Sequence, residues 1–316
     1  MSMLTRYQQE VNSTSKMADV ANTAQLVALW LATKRSKESH RAYETDVRCF
    51  IGFLLQESPE TVRLNDVDMR SVTINDVQAF ADFLETHSTP KTGKPLSPAS
   101  RARRIAAIKS LLSYGCKIKY LQFNAAADTL LPKPKDRLAE RILSETEVMT
   151  MVALTQNVRD RCLIQFLYYT GARVGEVALL RWADIRPNRD DQGQVTLFGK
   201  GDKSRTVLIP KKLYSALLSL RSPDDTPKSA VFKSRKGGEP LKPRHIWEIV
   251  AEAGQKAGIQ GKVSPHWLRH SHASHSLDRG APVQLVQQTL GHTSLQTTSR
   301  YAHAKPSDSS GLYLPG

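Results

Sequence analysis

His266-Trp267-Leu268-Arg269-His270, Leu290-Gly291-His292 and Ser299-Arg300-Tyr301 lie in the last quarter of the chain, and the reading of everything else turns on them. Between His266 and Tyr301 they set histidines, arginines and a tyrosine, side chains suited to holding and attacking a phosphodiester. His266 and Arg269 stand three apart, so an expected helix presents both on one face. A second group lies upstream, Thr170-Gly171-Ala172-Arg173-Val174-Gly175-Glu176. There Thr170-Gly171 marks a break between helices, and Arg173 projects from the start of the next one. Two arginines converging on one phosphate can form bidentate, charge-assisted bonds and stabilise a pentavalent transition state. Taken singly, each arginine reads as a surface or ion-paired residue; only the set points to phosphate chemistry.

Working outward, the charge balance agrees with that chemistry. The 316 residues carry 45 Lys and Arg against 30 Asp and Glu, a net charge of +15. Such a chain is drawn to polyanions, because neutralising phosphates releases their condensed counterions. The length is sufficient for two domains, each with its own core. Cys49, Cys116 and Cys162 are scattered, odd in number and without CxxC spacing, which suggests no disulfide framework or zinc site and fits a reducing cytosol. No apolar run approaches the ~18 residues that a membrane span requires. Met1 to Asn22 is polar, lacks the apolar core of a secretory signal and is expected to be disordered. His266, His270, His272 and His275 raise the question of a metal, but there is no HExxH and carboxylates are scarce nearby, so none is expected.

The segment 23–130 reads as all-α. Leu26, Leu29, Trp30, Tyr43, Val47, Phe50, Ile51 and Leu54 recur at three- and four-residue steps, and Ser39 is the expected cap of the second helix. Residues 59–71 and 89–98 read as loops. Between them Thr73-Ile74-Asn75-Asp76 opens a third helix, with Val77, Phe80, Phe83 and Leu84 on one face. Ser97-Pro98 starts a fourth, which carries Arg101, Arg103, Arg104 and Lys109 beside Ile105, Ile108, Leu111 and Leu112. This basic face is either a solvated surface or a contact for DNA phosphates. Leu131-Pro132-Lys133-Pro134-Lys135 is the expected boundary, with a linker over 131–143 and a second domain over 144–316. Ser144-Glu145-Thr146-Glu147 has a capping-box pattern. Val195 to Phe198 and Thr206 to Ile209 flank the turn from Gly199 to Ser204 and predict a hairpin in an otherwise helical region.

Five segments in order resemble the tyrosine recombinase (phage integrase) family, its Xer-like and integron-integrase-like members above all. They are Tyr169 to Glu176, Gly199-Lys200-Gly201-Asp202-Lys203-Ser204-Arg205, His266 to His270, Leu290-Gly291-His292-Thr293-Ser294 and Ser299-Arg300-Tyr301-Ala302-His303. The resemblance spans roughly residues 144–303, and the helical segment before it looks like the family's core-binding domain. It implies a mainly α fold with a small antiparallel β-sheet: an all-α DNA clamp joined to a mixed α+β catalytic domain. It further implies a site-specific recombinase in which Tyr301 is the nucleophile and forms a 3′-phosphotyrosyl link. Arg173 and Arg269 would hold the non-bridging oxygens, Lys200 would protonate the leaving 5′-oxygen, and His266 would act as general acid/base. His292 would hydrogen-bond the phosphate and Glu176 would orient an arginine or histidine. Lys203 rivals Lys200 in the same turn. The implied partners are double-stranded recombination sites and three further copies in a tetramer, with the tail after Tyr301 docked on a neighbour or on its own domain. Neither metal nor nucleotide is implied, because the phosphotyrosyl link retains the phosphodiester energy. Type IB topoisomerases share the chemistry. The competing reading is a DNA-binding accessory or regulatory protein that keeps the fold without strand transfer; a pure binder has no need of Arg173, Lys200, His266, Arg269, His292 and Tyr301 together.

Overall fold

The computed structural model describes residues 20–34, 37–87, 93, 95–132, 138–199, 203–235, 237–292 and 294–302. The expected N-terminal tail, for residues 1–19, and the tail after Ala302 lie outside them. The chain divides into two compact units between Lys135 and Asp136.

Among its described residues the first unit is built on four α-helices, α1 (Thr23–Ala32), α2 (Lys37–Leu55), α3 (Ile74–Thr86) and α4 (Pro98–Lys117). Local chemistry sets the starts. Asn22 caps α1 by accepting from the Gln25 backbone N–H, and Ser97 caps α4 in the same way through Ser100, with Pro98 at the first helical position. Thr73 and Asp76 exchange side-chain and backbone bonds in a capping box that opens α3. Ser39 is not a cap: α2 begins at Lys37, so the serine lies inside the first turn. The apolar stripes meet in one core around Leu26, Trp30, Phe50, Phe80, Ile108 and Leu111, where the Phe50 and Phe80 rings pack edge-on at 5.0 Å. The segment 59–71, expected as a plain loop, is anchored by buried Val62 and Met69 and ends in a 3-10 turn over Met69–Ser71.

The second unit packs α5 (Glu145–Leu154), α6 (Val158–Thr170), α7 (Val174–Ala178), α8 (Lys211–Leu218), α9 (Pro243–Lys256), α10 (Pro265–Asp278), α11 (Val283–Leu290) and α12 (Leu295–Ala302) with one small sheet. The sheet is antiparallel in the order β1 (Ile185–Pro187), β2 (Gly193–Phe198), β3 (Ser204–Ile209). The expected hairpin is therefore present, with β1 added at its edge; three residues ending in proline are too short to show a period of two. Val195, Leu197, Val207 and Ile209 turn one face into a core shared with Leu163, Phe166, Leu167, Phe232, Ile246 and Leu268. Trp267 is partly buried against the same core. The chain is thus mainly α with one small three-stranded antiparallel sheet.

Two glycines determine how close the site's backbone segments come. Gly171 ends α6 with φ +57°, and a Cβ there would stand 2.5 Å from Leu290 Cδ2 and 3.1 Å from His272 Cδ2. Gly291 ends α11 with φ +64°, and its Cβ would press on Arg205 at 3.3 Å. Both are left-handed C-caps, where an L side chain costs about 1–2 kcal/mol before any clash.

Candidate active site

The helix breaks bring the sequence boxes together. Arg173 sits at the N-cap of α7, and Glu176, one turn on, reaches back to accept from its backbone N–H at 2.8 Å. Glu176 is 7% exposed and is shared by two guanidiniums. Arg173 Nη1 donates to its Oε1 at 3.1 Å, while Arg205 donates through Nη1 to Oε1 at 2.9 Å and through Nη2 to Oε2 at 2.7 Å. Burial alone would raise the carboxyl's pKa. The bonds from Arg205 and the Arg173 backbone, with the Arg205 charge, outweigh it and hold the group below the ordinary range.

Arg269, on α10, is 4% exposed. Its Nη1 donates to the Gly171 carbonyl and its Nη2 to the Leu290 carbonyl at 2.6 Å. Desolvation, then the like charges of Arg173 and Arg205, push it down to about 9, which still leaves it protonated at neutral pH. Three guanidiniums thus gather around a single carboxylate among the described residues. What offsets the excess positive charge is the C-terminus of α11. Its last carbonyls and cap accept in succession: Thr289 from Arg205 Nε at 2.6 Å, Leu290 from Arg269, and Gly291 from Arg173 Nη2 at 3.2 Å. These are the orphan acceptors and the negative dipole end that any helix presents there.

The histidines and the tyrosine line the same region. His266, in the first turn of α10, is exposed; its pKa is lowered by partial desolvation and by the charges of Arg269, Arg173 and Arg141. His292, just past α11, lies 2.9 Å through Nδ1 from Thr298 Oγ1, and desolvation with Arg269, Arg173 and Arg205 takes it down to about 4. Both rings are therefore held toward the neutral form, first by desolvation and then by the arginine charges. Tyr301, on α12, is 6% exposed and packs on Val286, Leu290 and Ala273. Its hydroxyl is 2.7 Å from His270 Nδ1, and its ring lies nearly parallel to that of His292, with centroids 6.3 Å apart.

Arg173, Glu176, Arg269, His292 and Tyr301 thus share one region with His266. Lys200 lies outside the described residues. Lys203 is exposed, and its carbonyl closes the hairpin by accepting from the Gly199 N–H at 2.8 Å. The histidines of α10 diverge rather than converge: His270 turns to Tyr301, His272 to the Tyr168 carbonyl and His275 to the Tyr168 hydroxyl. Two residues, Arg205 and His270, were quoted in the sequence but given no role in the site. Arg205 carried a detectable signal, since it is in phase with Val207 and Ile209 on the inward face of β3. His270 stood one helical turn after His266.

The basic face of α4 is largely spoken for within the first unit. Arg101 pairs with Glu85 at 2.5 Å, Arg103 forms a two-pronged pair with the buried Asp46, and Arg104 stands 3.7 Å from the same carboxylate. Lys109 donates to the Ala127 and Thr129 carbonyls at 2.8 and 2.9 Å. Of the four, Arg103 alone is exposed.

Residues 140–308 match the phage integrase family, and residues 24–117 match the phage integrase N-terminal SAM-like domain. Tyrosine recombinase XerD of Bifidobacterium longum is 31% identical over 291 residues, covering 86% of this chain and 89% of that protein. Tyrosine recombinase XerC of Proteus mirabilis is 34% identical over 217 residues, covering 66% and 69%. Among solved structures, a lambda integrase dimer bound to a COC′ core site shares the fold with a TM-score of 0.66 at 15% identity, over 92% of this chain and 79% of that one. XerH recombinase bound to palindromic difH substrate, in a post-cleavage complex, gives 0.63 at 21% identity, over 90% and 82%. Fold and site together therefore define a site-specific DNA recombinase of the tyrosine type. The chain belongs to the phage integrase family, and relatives of the Xer kind match it over most of its length.

Proposed function

We propose that this recombinase cuts and rejoins DNA by transesterification at Tyr301. The observation that carries the reading is the excess of guanidinium charge around Glu176, with Tyr301 packed on α11, the helix whose end accepts from all three arginines. An anion is what such a site lacks, and a scissile phosphodiester supplies it. In the step we infer, the Tyr301 oxygen attacks phosphorus, the bond to the 5′-oxygen breaks, and a 3′-phosphotyrosyl link and a free 5′-hydroxyl result. Arg173 and Arg269 neutralise the non-bridging oxygens. Lys200 delivers a proton to the leaving oxygen, with Lys203 as its rival. His266 takes part as general acid/base, gaining basicity once phosphate offsets the arginine field, and His292 donates to the phosphate. Glu176 orients the arginine cluster through the bonds that it accepts from Arg205 and Arg173. No metal or nucleotide enters this balance.

We further assign residues 23–130 to DNA clamping and residues 144–316 to catalysis, joined through 131–143, with 1–22 as a tail. On α4, Arg103 is the side chain best placed to add a phosphate contact, with Arg101, Arg104 and Lys109 holding the helix. The protein would act in the cytoplasm on the nucleoid, as a homotetramer assembled on paired sites.

The test traps protein-linked fragments from sheared DNA of the source genome in EDTA, then nicks the recovered duplex to make a suicide substrate. A denaturing gel should show a covalent adduct for the wild type and none for Tyr301→Phe. Binding without any adduct would instead favour a non-catalytic DNA-binding protein.

A further inference from the structure

Glu176 poses a problem for the chemistry just described. It is a buried carboxylate one helical turn from Arg173, and a carboxylate offers a guanidinium the same bidentate acceptor geometry as a phosphate, so the two compete. Left to itself it would draw Arg173 into a fork-to-fork pair and away from substrate. The geometry shows why it does not. Both Glu176 oxygens are already taken by the fork of Arg205, at 2.9 and 2.7 Å, and the Arg173 backbone N–H takes a further place on Oε2. Arg173 is left with one 3.1 Å bond to the carboxylate and one 3.2 Å bond to the Gly291 carbonyl, both long for charge-assisted contacts. Its side chain stays 40% exposed, whereas that of Arg205 is 11% exposed.

We infer that Arg205 is a positioning residue that saturates Glu176 and so keeps Arg173 free to take the scissile phosphate. The third bond of Arg205, Nε to the Thr289 carbonyl at 2.6 Å, extends the effect. It ties β3 to the end of α11, whose next two carbonyls hold Arg269 and Arg173 and whose cap leads to His292. One side chain therefore sets the separation of the two phosphate-holding arginines. Gly291 allows this close approach, since any Cβ there would crowd the Arg205 side chain.

The inference rests on the role proposed above for Arg173, so the wild type must first form its adduct on the nicked duplex; if it does not, that underlying reading fails before any variant is compared. With the adduct in hand, single-turnover cleavage and DNA affinity are measured for Arg205→Ala, Arg205→Lys, Glu176→Gln and Arg205→Ala/Glu176→Gln. Arg205→Ala should cleave about 100-fold more slowly with Kd changed no more than about threefold. Arg205→Lys, which keeps the charge but loses the fork, should also be slow and carries the comparison should the alanine variant not fold. Adding Glu176→Gln to Arg205→Ala should restore at least about tenfold, because no carboxylate then competes for Arg173. A merely structural arginine would behave in the opposite way, the second substitution deepening the loss. Wild-type cleavage by both Arg205 variants, or a double variant no faster than Arg205→Ala, would overturn the proposal.

Discussion

At the scale of single residues, the site is governed by how few places a buried charge can go. Glu176 and Arg269 persist as ions because each is surrounded by partners, whereas His272 and His292 escape the arginine field by staying neutral. His272 is held down to about 4, first by desolvation, against the help it receives from the Tyr168 carbonyl. An unfolded histidine titrates near 6.5, so between roughly pH 6.5 and 4 the unfolded chain binds the proton and the folded one does not. Stability is then complete above that window and falls as pH drops through it, by an amount on the order of 2 kcal/mol. Urea midpoints at pH 7 and pH 5 should show this loss in the wild type and a smaller one in His272→Asn. Equal losses in both would remove His272 from the account. The depressed Glu176 acts lower on the scale, its contribution being lost only as pH falls through its folded value, below the ordinary carboxylate range.

At the scale of elements, helix termini do most of the assembly. The end of α6 turns at Gly171 and releases Arg173; the end of α11 turns at Gly291 and collects three arginines; α12 then lays Tyr301 across α10 and α11. In the first unit the same economy appears on α4, whose basic residues pin it to α2 and α3. Asp46 is fully buried, and desolvation raises its pKa despite Arg103 and Arg104. Arg103→Ala should therefore destabilise this unit by about 2 kcal/mol at pH 7, less than a fully broken buried pair because Arg104 remains. Denaturant unfolding of the full chain checks it. An unchanged midpoint would make Arg103 a solvated charge, available wholly to DNA.

At the scale of the molecule, the net charge of +15 predicts how the protein meets DNA before any site is recognised. Counterion release should make affinity steeply salt-dependent, log Kd rising with log salt at a slope of about 5 or more between 50 and 200 mM. Fluorescence anisotropy on a duplex of arbitrary sequence measures this directly. A slope below about 2 would mean that the basic residues are consumed by internal pairs, as several on α4 are. The chain divides between Lys135 and Asp136, beside the proline- and lysine-bearing segment that interrupts the helical periodicity.

Much of the architecture was legible because it is written in short-range code. Caps at Thr73, Ser97 and Ser144, apolar steps of three and four, and the alternation of Val195 to Phe198 each act within a turn or a strand. The family boxes likewise marked Arg173, Glu176, Arg269, His292 and Tyr301 as one set. What tertiary structure alone decided were the partnerships between boxes. The phase of Arg205 with Val207 and Ile209 gives its face, but only the pairing of β2 and β3 from Phe198↔Ser204 onward brings it to Glu176. The fourfold basic pattern of α4 reads the same whether its charges face DNA or Asp46, since periodicity gives the face of a helix but not what lies opposite. Those contacts join residues 29 to 118 positions apart, and no local rule of the chain reaches that far.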